Sequence, residues 1–270
     1  MRIGSRDFAT TGHTYIMGIL NVTPDSFSDG GKFNQIDAAL KHAEEMIRDG
    51  ADVIDIGGES TRPWGYTKIS DEEETDRVVP VIEAVKKEFE IPISVDTYKS
   101  GVAEAAAQAG ADLINDIWGL KYDARMAEVI AKSGLACCLM HNRDNTEYRN
   151  FMEDMKQDLR ETIALAKAAG IADDKIILDP GVGFAKSYEN NLEVIRRLKE
   201  FNELKYPVLL GTSRKSVIGL TLDLPAAERV EGTIVTTVMA VEAGCMFVRV
   251  HDVKENHRAI QMAEAILDRK

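Results

Sequence analysis

Eight short apolar runs divide this chain, and each gives way at its C-terminal end to a polar tip. They are YIMGILN (15–21), DVIDIGG (52–58), PISVDT (92–97), DLINDI (112–117), LACCLM (135–140), KIILDPG (175–181), PVLLGTS (207–213) and MFVRVHD (246–252). Their continuous Val, Ile and Leu content fits parallel strands buried on both faces. Helical patterns fill the intervals. Val78, Val79, Ile82 and Val85 recur at helical spacing behind Ser70 and Glu73, which are placed as a capping box. Leu159, Ile163 and Ala166 mark one face of a long helix, and Ile260, Ala263 and Leu267 mark the last. Gly50, Gly110, Gly134, Gly170 and Gly244 each stand shortly before the next run, where a left-handed residue ends a helix. Eight strand–helix units in about 250 residues read as an α/β fold, a (β/α)8 TIM barrel over about 15–268 in one 270-residue domain. An open doubly wound sheet is the alternative, but the Gly-rich fingerprint expected after its first strand is missing. Residues 1–14 precede the barrel and are expected to form a short hairpin across its bottom.

Charge and composition narrow the function. The net charge is −12, which argues against a nucleic-acid or membrane surface, since both ask for a basic face. No apolar run reaches the roughly 18 residues of a membrane span, and the first 15 residues carry no apolar signal core, so cytoplasmic residence is expected. Cys137, Cys138 and Cys245 lie in or beside apolar stretches without metal-ligand spacing, and read as reduced core thiols.

In a barrel of this type the C-terminal strand ends and the loops after them build the site. Here those ends carry Asn21, Glu59, Asp96, Asn115 with Asp116, His141, Asp179, Ser213 with Arg214 and Lys215, and Arg249 with His251. Taken alone, Asp96 could cap a helix and Asp179 could form the turn before Pro180. Asn115 sits mid-strand among apolar residues, where an unpaired amide costs about 1–3 kcal/mol. Together the three suit a ligand with several N–H donors along a planar ring edge. Arg62, Lys215, Arg249 and His251 form a second, cationic set. Arg249 and His251 alternate within FVRVHD and so project to one face. Gathering cations at one mouth of an acidic protein implies a specific polyanion, and barrels of this type often bind phosphate near strands seven and eight.

Two tempting motifs fail. GTSRK (211–215) begins like a nucleophile elbow but has Lys215 where Gly is needed. GGKF (30–33) lacks the spacing and the Ser/Thr of a P-loop.

ILNVTPDSFSDGG (19–31) and DIGGESTRP (55–63) resemble the two signature segments of the dihydropteroate synthase family. The resemblance continues, in order, through SVDTYK (94–99), INDIWG (114–119), LMHNRDN (139–145), ILDPGVGFAK (177–186), GTSRKS (211–216) and VRVHDV (248–253). It implies a TIM barrel that joins 6-hydroxymethyl-7,8-dihydropterin pyrophosphate to p-aminobenzoate, with Mg²⁺ accompanying the pyrophosphate, a homodimer, and competition by sulfonamides. It further implies that Asp96, Asn115, Met140, Asp179, Phe184 and Lys215 hold the pterin, with Asp96, Asp179 and Lys215 catalytic. Thr61, Arg62, Arg249 and His251 would hold the pyrophosphate. Phe27, Thr61, Pro63, Phe184, Lys215 and Ser216 would surround p-aminobenzoate, and Asn21 would associate with Mg²⁺. The implied reaction is dissociative: pyrophosphate leaves first, and the dihydropterin carries the positive charge.

The loop after Asn21 reads as a lid bringing Phe27 over the p-aminobenzoate site and shielding the cation from water. The sequence departs from the family pattern at Trp64, which stands between Pro63 and Gly65 as a one-residue insertion, from which altered sulfonamide sensitivity is expected. Two rival readings remain. A pterin-dependent methyltransferase would share the acids but not need the cation cluster, and a silent pterin-binding scaffold would have no leaving group to hold.

Overall fold

The computed structural model describes residues 1–23, 32–60 and 68–269. Strands β1 (Arg2–Ile3) and β2 (Arg6–Asp7) pair antiparallel. Eight parallel strands follow: β3 (Tyr15–Asn21), β4 (Val53–Gly57), β5 (Ile93–Asp96), β6 (Leu113–Asp116), β7 (Ala136–Met140), β8 (Ile176–Asp179), β9 (Leu209–Leu210) and β10 (Phe247–Val250). Between and after them run α1 (Lys32–Asp49), α2 (Asp71–Glu88), α3 (Ser100–Ala109), α4 (Met126–Ser133), α5 (Phe151–Ala168), α6 (Tyr188–Arg196), α7 (Ser216–Leu222), α8 (Val230–Ala243) and α9 (Val253–Ile266). The strand order β8-β7-β6-β5-β4-β3-β10-β9 is completed by a parallel bridge from Leu178 to Val208, so the sheet curls into a barrel and the open-sheet alternative falls.

Every barrel strand is buried on both sides, but its two faces serve different cores, because successive side chains alternate. Even-numbered residues of β3, β4, β6, β8 and β10, such as Ile16, Ile54, Ile114, Ile176 and Val248, pack outward under the helices. Their neighbours Met17, Val53, Leu113, Ile177 and Phe247 join Ala136, Cys138 and Leu209 in a second apolar cluster that fills the lower lumen. The hairpin of β1 and β2 closes the bottom, as expected: Ile3 and Phe8 belong to this inner cluster, and the Phe8 ring lies 4.9 Å from Tyr15 and 5.6 Å from Phe247.

The expected helix signals hold with two amendments. All five inter-element glycines have positive φ, Gly110 and Gly134 among them as helix-ending residues at +106° and +68°. At α2 only half of the capping box forms among the described residues: Ser70 Oγ accepts from the Glu73 amide, while the Glu73 carboxylate pairs with Arg77 one turn on. Leu267 does not share the inner face of α9. That helix ends at Ile266, and Leu267 is exposed, whereas Ile260 and Ala263 are buried.

Candidate active site

The alternation that fills the lower lumen with apolar side chains turns mostly polar one step further up the strands. From β4 to β10, the inward positions above the apolar layer are Asp55, Asp96, Asn115, Met140, Asp179, Gly211 and Arg249. Asp55 lies at the centre of the connections and is fully buried. Its carboxylate accepts from Ser94 Oγ, from Asn115 Nδ2 at 3.3 Å and from Arg249 Nε at 2.6 Å. Arg249 reaches across the lumen and donates through Nη2 to Asp96 Oδ2 at 2.7 Å. The second oxygen, Asp96 Oδ1, is buried and has no hydrogen-bond partner among the described residues. A buried carboxylate oxygen in that state is costly unless a ligand donates to it.

Asp179 and Lys215 meet Arg249 around Gly211. A Cβ on Gly211 would stand 3.6 Å from Asp179 Oδ2, 3.8 Å from Lys215 Nζ and 4.0 Å from Arg249 Cβ. Asp179 Oδ1 accepts from the Gly181 amide at 2.7 Å. Lys215 Nζ donates to Val182 O at 2.6 Å and stands 4.8 Å from the centre of the Phe184 ring. Met140, Tyr98 and Ile117 form an apolar cluster on which Phe184 and Trp118 pack. Acids and an amide on one side and an apolar wall on the other suit a flat, nitrogen-rich ring.

Burial sets the protonation of this cluster. It pushes the Asp96 carboxyl up to about 7, against the pull of Arg249 and with a further push from Asp55. It also raises Asp179, against the pull of Lys215. Burial brings the Lys215 ammonium down to about 8; Asp179 opposes that shift and Arg249 adds to it. Burial works against the charge of Arg249 too, but Asp55 and Asp96 outweigh it and hold the guanidinium above its ordinary range. Asp96 and Lys215 are thus shifted toward neutrality from opposite sides, as active sites commonly arrange.

The remaining expected residues fall as follows. His251 flanks the lumen, its amide donating to Ser213 Oγ at 3.1 Å and its Nδ1 lying 3.0 Å from the same oxygen. Ser216 is the exposed first residue of α7. Phe27, Thr61, Arg62 and Pro63 lie outside the described residues, as do the expected lid and Trp64. Four strand-tip candidates serve other contacts. Glu59 binds Lys99 Nζ at 2.7 Å and Tyr98 Oη at 2.5 Å. Asp116 accepts from the Trp118 and Leu120 amides at 2.8 and 2.7 Å, and His141 Nε2 pairs with Asp158 at 2.9 Å. Arg214 is paired with Asp252.

A metal can be considered at Asn21. Among the described residues no three His, Cys, Asp or Glu side chains converge as a protein-only cage would. Mg²⁺ does not require one, since it keeps several waters and takes one or two protein oxygens beside substrate phosphates. Asn21 Oδ1 and Asp96 Oδ2 both border the side-chain space that Gly57 leaves open, at 3.7 and 3.9 Å from a Cβ built there. Asp96 Oδ2 is bonded to Arg249, so Asn21 Oδ1 is the protein oxygen beside that opening that fits such an ion.

Sequence reasoning missed Asp55: it lies two residues past Val53 on the same strand face, but a run buried on both sides does not tell which face meets the lumen. It also missed Lys99 and Lys186, both buried. A lysine in a loop reads as solvated, and no local pattern marks these two otherwise.

The family model described as "Pterin binding enzyme" matches residues 17–251. A dihydropteroate synthase of Clostridium beijerinckii is 62% identical over 270 residues, covering 100% of both chains. Among solved structures, a dihydropteroate synthase from Clostridium difficile in the presence of pteroic acid superposes with a TM-score of 0.93 at 52% identity, covering 100% of both chains. A Yersinia pestis dihydropteroate synthase in complex with a sulfonamide drug gives a TM-score of 0.92 at 43% identity, covering 99% of both chains.

Proposed function

The chain belongs to the pterin-binding enzyme family and, within it, to the dihydropteroate synthases, and from that premise we propose that its lumen holds the dihydropterin ring while pyrophosphate departs toward the rim. The enzyme is a transferase of folate biosynthesis that makes 7,8-dihydropteroate from the pterin pyrophosphate and p-aminobenzoate. The observation that carries the site assignment is the buried Asp96 Oδ1, unpartnered among the described residues and set in one cluster with Asn115, Asp179 and Lys215. Asp96, Asn115 and Asp179 take the hydrogen-bonding edge of the pterin, and Lys215 Nζ takes the ring carbonyl and N5 edge. Met140 and Phe184 cover the ring faces.

Cleavage breaks the bond between the pterin methylene and the pyrophosphate oxygen, and the electron pair leaves with the oxygen. The positive charge spreads into the electron-rich dihydropterin, where ionised Asp96 and Asp179 stabilise it electrostatically. The amine lone pair of p-aminobenzoate then forms the new C–N bond, and that nitrogen gives up its proton to solvent. A weak aniline nucleophile suits a preformed cation. Thr61, Arg62, Arg249 and His251 hold the pyrophosphate. Phe27, Thr61, Pro63, Phe184, Lys215 and Ser216 surround p-aminobenzoate. Mg²⁺, when bound through Asn21 and the pyrophosphate, supplies charge neutralisation to the leaving group.

Homodimerisation belongs to the same proposal. Helix α8 turns Thr233, Thr236 and Thr237 inward while Val235 and Val238 face out at 60% and 39% exposure, an inversion that leaves apolar surface for a partner. Cytoplasmic residence is supported by three free, buried cysteines, and among the described residues no helix is long and apolar enough to cross a membrane. Mixing both substrates with Mg²⁺ and following pyrophosphate release and dihydropteroate formation tests the reaction. Pterin binding without pyrophosphate release would refute it.

A further inference from the structure

The loop after β8, residues 180–187, supplies two groups to the site: Val182 O, which receives Lys215 Nζ, and the Phe184 ring beside that same ammonium. Its backbone is irregular. Gly181, Ala185 and Gly183 all have positive φ, at +68°, +47° and +90°. A segment of this kind keeps one conformation only where its surroundings over-determine it.

The group holding it from beneath is Lys186. Its side chain is buried, and Nζ donates to Gly181 O at 2.9 Å and to Phe184 O at 2.9 Å, with His141 Nδ1 at 3.0 Å. Burial brings the Lys186 ammonium down to about 7, against the pull of Asp179; in its protonated form it has three N–H donors and no acceptor, so each proton has one acceptor. The third acceptor is fixed from behind. Burial lowers His141 to about 4, Lys186 adding to the shift and Asp158 opposing it. The imidazole is therefore neutral, its Nε2–H faces Asp158 at 2.9 Å, and Nδ1 is left to accept. Arg143 Nε donates to the same Asp158 carboxylate at 2.5 Å. The two carbonyls that Lys186 grips flank Val182 and Gly183, so the clamp spans the stretch that meets Lys215.

We propose that Lys186 is a positioning residue: its ammonium fastens the loop after β8 and thereby sets Val182 O and the Phe184 ring against Lys215. The proposal rests on the assignment of Phe184 and Lys215 to p-aminobenzoate made above. Phe184 and Lys215 also meet the pterin, but its carboxylates and amide stand on β5, β6 and β8 rather than on the loop, so loosening the loop costs p-aminobenzoate, which has no such strand-borne partners, more than it costs the pterin. Asn191 Oδ1, bonded to the Gly183 amide at 2.6 Å, and Tyr148 Oη, bonded to Ala185 O at 2.9 Å, brace the loop elsewhere. Loss of Lys186 should therefore loosen the loop without dismantling the barrel.

The test is steady-state kinetics of full-length Lys186→Met, His141→Asn and Phe184→Ala beside the unaltered enzyme, with melting temperatures as a fold control. Lys186→Met is expected to raise the p-aminobenzoate KM about tenfold, while kcat and the pterin pyrophosphate KM stay within about threefold. His141→Asn, which removes one acceptor and its brace, is expected to move the same KM about threefold, and it decides the matter should Lys186→Met fail to fold. An unchanged p-aminobenzoate KM in both variants, or equal losses on both substrates, overturns the clamp. Phe184→Ala separates the two levels. If it raises the p-aminobenzoate KM and the clamp variants do not, only the clamp fails; if it leaves that KM unchanged, the assignment beneath the clamp fails with it.

Discussion

Asp96 combines two properties that bear on its use: one oxygen is held by Arg249, and the other is buried without a partner among the described residues. Replacing the group by Asn keeps its size and removes its charge, so Asp96→Asn should lower kcat about 10²–10³-fold, on the scale of losing one preorganised electrostatic contact. Pyrophosphate release at saturating concentrations of both substrates measures it. The pH dependence follows from the same residue. Pterin N–H donors bind the ionised carboxylate, and in the free enzyme that form predominates above about 7. The Lys215 charge is lost above about 8. The kcat/KM for pterin pyrophosphate should therefore rise with pH toward about 7 and fall beyond about 8, and Asp96→Asn should remove the acidic limb. Measuring kcat/KM from pH 5.5 to 9.5 for both proteins checks this, and an unchanged acidic limb in the variant would assign it to another group.

The strands and their tips were readable because a barrel strand buried on both faces leaves a continuous apolar run, and all eight runs became strands. What the runs concealed was which side of each strand faces the lumen. Continuous burial removes the polar alternation that would show it, and so Asp55 went unnoticed inside DVIDIGG. Lys186 was hidden for a different reason: its acceptors are main-chain carbonyls and a histidine 45 residues away, and neither leaves a local mark. The loop after β8 also illustrates a glycine requirement that the sequence does not display. Gly181 has φ +68°, and a Cβ there would run into His141 O. Gly181→Ala should cost about 1–3 kcal/mol through backbone strain, with the collision added. Urea denaturation should show a lowered midpoint with an unchanged slope, and because the Gly181 amide also holds Asp179 Oδ1, pterin binding should weaken as well.

At the scale of the whole molecule, the barrel separates two kinds of burial. Its lower lumen is apolar and plugged by Ile3 and Phe8, and its upper lumen carries Asp55, Asp96, Asp179 and Arg249 in one connected cluster. The helices outside mostly turn apolar faces inward, yet neighbouring α7, α8 and α9 leave Leu220, Val235, Met262 and Ile266 exposed at 68%, 60%, 62% and 71%. Scattered surface apolar residues are ordinary. The inward threonines of α8 make this set different, because Thr233, Thr236 and Thr237 are buried while Val235 and Val238, flanked by exposed Glu231 and Glu242, stand where only a partner could cover them. A second copy is the partner that closed symmetry favours, and a stable pair would bury roughly 800 Å² on each side. Sedimentation equilibrium should then give twice the 29.8 kDa chain mass. Val235→Glu combined with Val238→Glu should return it to the single-chain value, since a paired interface would have to bury two carboxylates in each copy. The lumen lies on the other side of the strands from α8, so the separated chains should keep their affinity for pterin. A single-chain mass for the unaltered protein would overturn the dimer, and loss of pterin affinity on separation would show that the partner contributes to the site.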